Sequence, residues 1–212
     1  LNQLQHLSLE FLDCSVENND ISEWLKQMPH LQSLCIAHGD SQWESTLHIP
    51  PLAELKQLYI RSHIPAELLD IPVLPSLTRL SVNVRFPETT SPWLPNLAKM
   101  TALESLTRFS LTLAEMIEMS RYLPLQLSEV NLFALRLEEE ESRDEFWRNM
   151  MHLTQLTKLN IPDMDEEVPG IFYDWMATSP LSTIKLQIYS NEESTVPSLA
   201  RVLPNLKYLQ SL

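Results

Sequence analysis

The chain has 212 residues, with 28 acidic against 15 basic side chains and a net charge of −13, so nucleic acid and anionic membrane surfaces are repelled rather than gathered. It holds two glycines, Gly39 and Gly170, where ordinary usage of about 7% would give roughly fifteen, and this excludes a dinucleotide fingerprint or a phosphate-cradling loop. Two cysteines, Cys14 and Cys35, are too few for a disulfide framework, and no apolar run approaches the roughly 18 residues that a membrane span needs.

In chain order, Leu4-Leu7-Leu9 opens a frame, Leu-x-x-Φ-x-Φ with Φ apolar, whose period-two alternation predicts a short half-buried strand. Asp20 with Glu23 forms a capping pair ahead of Ile21, Trp24, Leu25 and Met28, an amphipathic helix that Pro29 stops. Strands are predicted next at Leu31-Leu34-Ile36, Leu55-Leu58-Ile60 and Leu77-Leu80-Val82, with short helices at Pro65-Ala66-Glu67-Leu68-Leu69 and Pro92-Trp93-Leu94. The frame is read again at Leu106-Phe109-Leu111, where Thr112 and Glu115 cap a helix through Met116 and Ile117. Leu127-Val130-Leu132 precedes a helix begun by Ser142 and Glu145 and carrying Phe146, Trp147, Met150 and Met151. Leu156-Leu159-Ile161 precedes Pro169 and a helix with Ile171, Phe172, Trp175 and Met176. Leu181-Ile184-Leu186, a helix from Ser194 through Val196, Leu199, Val202 and Leu203, and a ninth frame at Leu206-Leu209 close the series. Trp24, Trp43, Trp93, Trp147 and Trp175 fall mostly on helical segments and are expected as core between helix and sheet.

The central positions 7, 34, 58, 80, 109, 130, 159, 184 and 209 lie about 25 residues apart. One strand and one helix of that length cannot bury an apolar face alone, whereas stacked copies can. The expected fold is therefore an α/β solenoid, with a concave parallel sheet of about nine strands, convex helices and one domain over 1–212. No polar cap is evident at either end, so the chain reads as a fragment of a longer protein.

The frame resembles the leucine-rich repeat superfamily over essentially the whole chain. The asparagine that regular repeats place after the strand is missing; its positions hold Leu12, Gly39, His63, Arg85, Ala114, Leu135, Met164 and Tyr189. Long helical segments and irregular periods are similar to cytoplasmic helix-bearing types. These are ribonuclease-inhibitor-like and F-box-associated repeats, the sensor domains of plant intracellular immune receptors, and bacterial effector repeats. Leu94-Pro95-Asn96-Leu97 and Leu203-Pro204-Asn205-Leu206 resemble the immune-receptor style, and the subfamily stays open. The resemblance implies a horseshoe-shaped, non-enzymatic protein-binding module without a cofactor, located in the cytoplasm, or in the host cytosol for an effector. The alternative it implies is the recognition part of a larger ubiquitin ligase, immune receptor or effector whose acting domain lies outside this chain.

The strand residues that alternate with the apolar ones form three columns on the concave face. His6, Ser33, Gln57, Arg79, Arg108, Glu129, Lys158, Thr183 and Tyr208 make the first. Ser8, Cys35, Tyr59, Ser81, Ser110, Asn131, Asn160, Lys185 and Gln210 make the second, and Glu10, Ala37, Arg61, Asn83, Thr112, Phe133, Pro162 and Gln187 the third. Five bases (Arg61, Arg79, Arg108, Lys158, Lys185) oppose two acids there, on an acidic chain. Arginine beside Tyr59 is interface composition, and a guanidinium pairs a carboxylate bidentately. Tyr59, Arg61, Arg79, Asn83, Arg108, Asn131, Phe133, Lys158 and Lys185 are thus candidate contacts for an acidic segment; the competing reading is that exposed strand positions carry polar side chains for solubility alone.

Acids gather elsewhere, at Glu138, Glu139, Glu140 and Glu141 and at Asp163, Asp165, Glu166 and Glu167, expected as a rim that steers a basic partner or as a solvated loop edge. The Asp163–Glu167 run lacks the glycine and spacing of an EF-hand loop, and the six histidines show no zinc pattern, so no metal is expected. Cys35, His38 and Asp40 could be read as an activated thiol; a small strand residue and a loop histidine are the simpler reading, and no catalytic residue is expected.

Overall fold

A computed structural model describes residues 1–11, 18–38, 46–65, 68–85, 91–136, 140–164 and 170–188. The predicted ninth frame and the helix from Ser194 lie outside them.

Eight strands form one parallel sheet: β1 His6–Phe11, β2 Ser33–His38, β4 Gln57–Pro65, β6 Arg79–Arg85, β7 Ser105–Thr112, β8 Glu129–Arg136, β9 Lys158–Met164 and β10 Thr183–Ile188, neighbouring in that order. Their registers align Leu7, Leu34, Leu58, Leu80, Leu106, Val130, Leu159 and Ile184 in one row. From Leu34 onward that row is buried, and Leu7, on the edge strand, is half-buried. This is an α/β leucine-rich repeat solenoid, since each repeat covers the leucines of the next.

The approach to each strand is equally repetitive. The N–H of Leu31, Leu55, Leu77, Leu103, Leu127 and Leu156 donates to the carbonyl of the residue three positions earlier, closing a turn. Pro29 and Pro75 occupy the second position of two such turns, where their fixed φ suits a type I or II geometry. Next, two consecutive N–H groups share one carbonyl of the preceding repeat: Gln32 and Ser33 on Gln5, Lys56 and Gln57 on Gln32, and so on to Ser182 and Thr183 on Thr157. Hydroxyls of Thr78, Ser128, Thr157 and Ser182 donate to the same carbonyls at 3.0–3.2 Å.

One frame differs from expectation. Leu80 pairs with Leu106, not Phe109, and Arg79 pairs with Ser105. The frame of β7 is therefore Leu103-x-x-Leu106, three residues before the predicted Leu106-Phe109-Leu111. Arg108 stands where the second apolar residue should be. A register shift between Thr107 and Phe109 sets Arg108 between paired positions and brings Phe109 opposite the buried Leu132. An inserted residue of this kind is how a strand keeps its apolar set on the core side. Leu103 is wholly buried, so Leu103→Ala should cost about 2–5 kcal/mol; urea unfolding checks this, and a cost near zero would restore the predicted frame.

Among the described residues the other side of the sheet is helical in part. It carries α1 Asn18–Lys26, a 3₁₀ helix Leu94–Lys99, α2 Leu113–Ser120, α3 Glu140–Met150 and α4 Gly170–Thr178. Between α1 and the 3₁₀ helix, β3 Leu47–His48 pairs in parallel with β5 Leu69–Asp70. Of the helix predicted from Pro65 to Leu69, Pro65 belongs to β4 and Leu69 to β5, a correction of its bounds, and residues 66 and 67 lie outside the described residues. The helix predicted at Pro92-Trp93-Leu94 starts later and is the 3₁₀ segment. Leu58 and Leu80 are 22 residues apart, the shortest repeat, and Val130 and Leu159 are 29 apart, the longest, with the longest helix between them. A helix advances only about 1.5 Å per residue against about 3.3 Å for a strand, so the longest connection accommodates the most helix.

The helical side is anchored by Phe146, Trp147, Phe172 and Trp175. Trp147 lies 4.3 Å from Phe172 and 5.0 Å from Phe146 between ring centroids, at tilted and edge-on angles. Trp93, Trp147 and Trp175 are buried as expected, whereas Trp24 is 48% exposed, a correction. Ile21 and Leu25 of α1, with Met28 just after its end, already complete the buried stripe, leaving Trp24 at its margin.

Candidate functional site

The sheet face opposite the core bears the candidate residues. Its first column runs His6, Ser33, Gln57, Arg79, Ser105, Glu129, Lys158, Thr183, and its second Ser8, Cys35, Tyr59, Ser81, Thr107, Asn131, Asn160, Lys185. Ser105 and Thr107 replace the predicted Arg108 and Ser110, because of the frame shift in β7. The third column is regular over Glu10, Ala37, Arg61 and Asn83. Beyond it the ladder becomes irregular. Leu135 lies opposite Leu111 and Met164, so Phe133 falls between paired positions rather than in a column. The regular columns thus carry four bases (Arg61, Arg79, Lys158, Lys185) against two acids (Glu10, Glu129).

Arg61 and Arg79 are exposed on adjacent strands. Between them Tyr59 is half-buried, with the Arg61 guanidinium 6.0 Å from its ring centroid, at the outer limit of a cation–π contact. The Tyr59 hydroxyl donates to Gln57 Oε1 at 3.3 Å. Its register partner Ser81 is only 3% exposed. Farther along, Ser105 Oγ donates to Glu129 Oε2 at 3.0 Å, and Asn160 Nδ2 to Asn131 Oδ1 at 2.8 Å. Lys158 is exposed opposite Glu129, and Asn83 is half-buried opposite Arg61. For Arg108, Phe133 and Lys185 the backbone alone is described.

Ion pairs among the described residues fall away from this face. Lys26 meets Glu23 on α1, and Arg121 meets Glu118 and Glu145 at 2.9 and 2.6 Å. His30 bonds Glu54 and His48 bonds Asp70 at 2.9 and 2.5 Å. Arg61, Arg79 and Lys158 enter none among the described residues. The bond and charge of Glu145, then those of Glu118, raise the Arg121 pKa.

A hydrogen bond to Glu118 raises the Tyr122 pKa, because the neutral phenol is the donor. That contribution is complete below the ordinary tyrosine range and fades as pH rises through the raised value. Spectrophotometric titration should show one tyrosine ionising late, returning toward the ordinary range in Glu118→Gln.

The acidic rim is corrected in part. Glu140 and Glu141 are the first residues of α3, where an acid suits the helix N-terminus, rather than a loop edge. Asp163 lies within β9 rather than after it. Glu138, Glu139, Asp165, Glu166 and Glu167 are outside the described residues. His38 is likewise the last residue of β2, not a loop residue. Cys35 is a half-buried free thiol in the Tyr59 row, and His38 lies opposite Phe11. Three residues apart in a strand, positions 35 and 38 fall on different faces; Asp40 is outside the described residues. Among the described residues no group of His, Cys, Asp and Glu could hold a metal ion, and no helix is long and apolar enough to cross a membrane.

The sequence reading missed the hydroxyl ladder at Thr78, Ser128, Thr157 and Ser182, although each follows a lead leucine directly, which is a legible signal. It also missed Gln57 and Ser105, which orient Tyr59 and Glu129.

No protein-family model matches the chain, and no curated protein matches it. Among solved structures, an internalin (inlF) from Listeria monocytogenes is similar to 99% of this chain at 16% identity and a TM-score of 0.47. The chain spans 61% of that internalin chain. A likeness this slight carries no argument, and the repeat stands on the chain's own registers and burial.

Proposed function

We propose that the chain is a non-enzymatic recognition module that binds a protein partner through the open face of its sheet, with an acidic segment of the partner as the target. The supporting observation is the pair Arg61 and Arg79, exposed, without ion pairs among the described residues and flanking Tyr59 on adjacent strands. A chain of net charge −13 has acids enough to neutralise its own cations, yet sets these two apart from the acids described. Asn83, Asn131 and Lys158 extend the polar surface, with Arg108 on β7, Phe133 on β8 and Lys185 on β10 of the same sheet. The module uses no cofactor, takes neither nucleic acid nor membrane, and works in the cytoplasm, or in a host cytosol.

A second reading makes the chain the recognition part of a larger ubiquitin ligase, immune receptor or effector.

The test is affinity capture with wild type, Arg61→Glu/Arg79→Glu, and Lys99→Glu on the 3₁₀ helix. A partner kept by the first and third and lost by the second supports the sheet face. A partner kept by all three would move the site elsewhere.

A further inference from the structure

We infer that the seam between β4 and β6 seats an acidic peptide in extended conformation, with two carboxylates four residues apart and an apolar residue midway. The inference rests on the sheet-face reading above and specifies its ligand. The register pairs Gln57 with Arg79, Tyr59 with Ser81 and Arg61 with Asn83. Arg79 and Arg61 therefore lie one strand apart and four residues apart along the strand direction. At about 3.3 Å per residue and 4.8 Å between strands, their backbones are separated by roughly 14 Å. An extended peptide presents residues i, i+2 and i+4 on one side, with the outer two about 13 Å apart. Laid along the seam, its outer carboxylates meet the two guanidiniums, and its middle side chain rests against the half-buried Tyr59.

The surroundings set limits on either side. Toward the chain start, β2 presents Ser33, Cys35 and Ala37, short and uncharged, so access to Tyr59 is open. In the other direction Glu129, held by Ser105, closes the positive region and repels an acidic segment that strays toward β8. Charge complementarity thus confines the ligand to one seam.

The probes are fluorescein-labelled peptides, Ser-Glu-Ser-Leu-Ser-Glu-Ser, the same composition with glutamates three apart, and a version with glutamine for glutamate. Fluorescence anisotropy at low ionic strength should show the first binding at least about tenfold more tightly than the others, as expected when one charge-assisted hydrogen bond is made or broken. Arg61→Gln and Arg79→Gln should each weaken it by about the same factor, with circular dichroism unchanged. Equal binding of the three- and four-spaced peptides overturns the extended seat, since a helical ligand presents both spacings on one face. Tight binding that survives both glutamine variants overturns the location. If no peptide binds while the double reversal still loses the natural partner, the seam is wrong and the sheet-face reading stands. If the double reversal keeps that partner, the sheet-face reading itself falls.

Discussion

A chain carrying Arg61→Glu with Arg79→Glu is expected to lose its partner and keep its fold. Truncating a single interface arginine of hot-spot quality costs about 2 kcal/mol or more, roughly thirtyfold in affinity. Reversal adds repulsion to that loss, because each new carboxylate faces the acidic segment that the guanidinium had paired. Two reversals on adjacent strands should take binding below detection. The melting temperature should barely move, because both side chains are exposed and neither holds an ion pair among the described residues. The measurements are retention in affinity capture and a thermal melt, made together. An unchanged melt with retained partner sinks the proposal. Arg108 is a poor substitute for Arg61 in this experiment, since the shift in β7 takes it out of the column of Arg79.

Trp147→Ala is expected to be the most damaging single change in the described core. Truncating a buried aromatic costs about 3–5 kcal/mol, set against total stabilities of about 5–15 kcal/mol for ordinary domains. Trp147 is wholly buried and contacts Phe146, Phe172 and Trp175, so one truncation opens a cavity that touches both α3 and α4. The damage should also be local. Repeats in a solenoid lean on their neighbours alone, so hydrogen exchange should accelerate in β8–β10, α3 and α4 before it does in β1 and β2. A uniform acceleration, or a loss under about 1 kcal/mol by urea unfolding, would show that this cluster is not the anchor of the helical side.

How much was legible follows from the same residues. The apolar rows could be read directly, because period two in a strand and the recurrence near 25 residues are both imposed by burial, and burial selects side-chain type. Helices α1, α3 and α4 were readable for the same reason, since Ile21, Leu25 and Met28, or Phe146, Trp147 and Met150, recur at helical spacing. Trp24 was misread because composition cannot tell the centre of an apolar stripe from its margin. The short helix expected from Pro65 was bounded wrongly, since Pro65 pairs as part of β4 and Leu69 as part of β5.

The candidate site divides similarly. Tyr59, Arg61 and Arg79 fall in the expected columns because β4 and β6 keep the frame through Leu58, Ile60, Leu80 and Val82. Arg108 was misplaced by one arginine standing at an apolar position, which moved the apparent frame by three residues. The sequence by itself determined that a stacked parallel sheet would form, and which side of each strand would be buried. Only the tertiary structure decided which polar residues became neighbours, because register beyond a bulge is set by the partner strand's hydrogen bonds, which bring Phe109 opposite Leu132, not by any pattern within β7 alone.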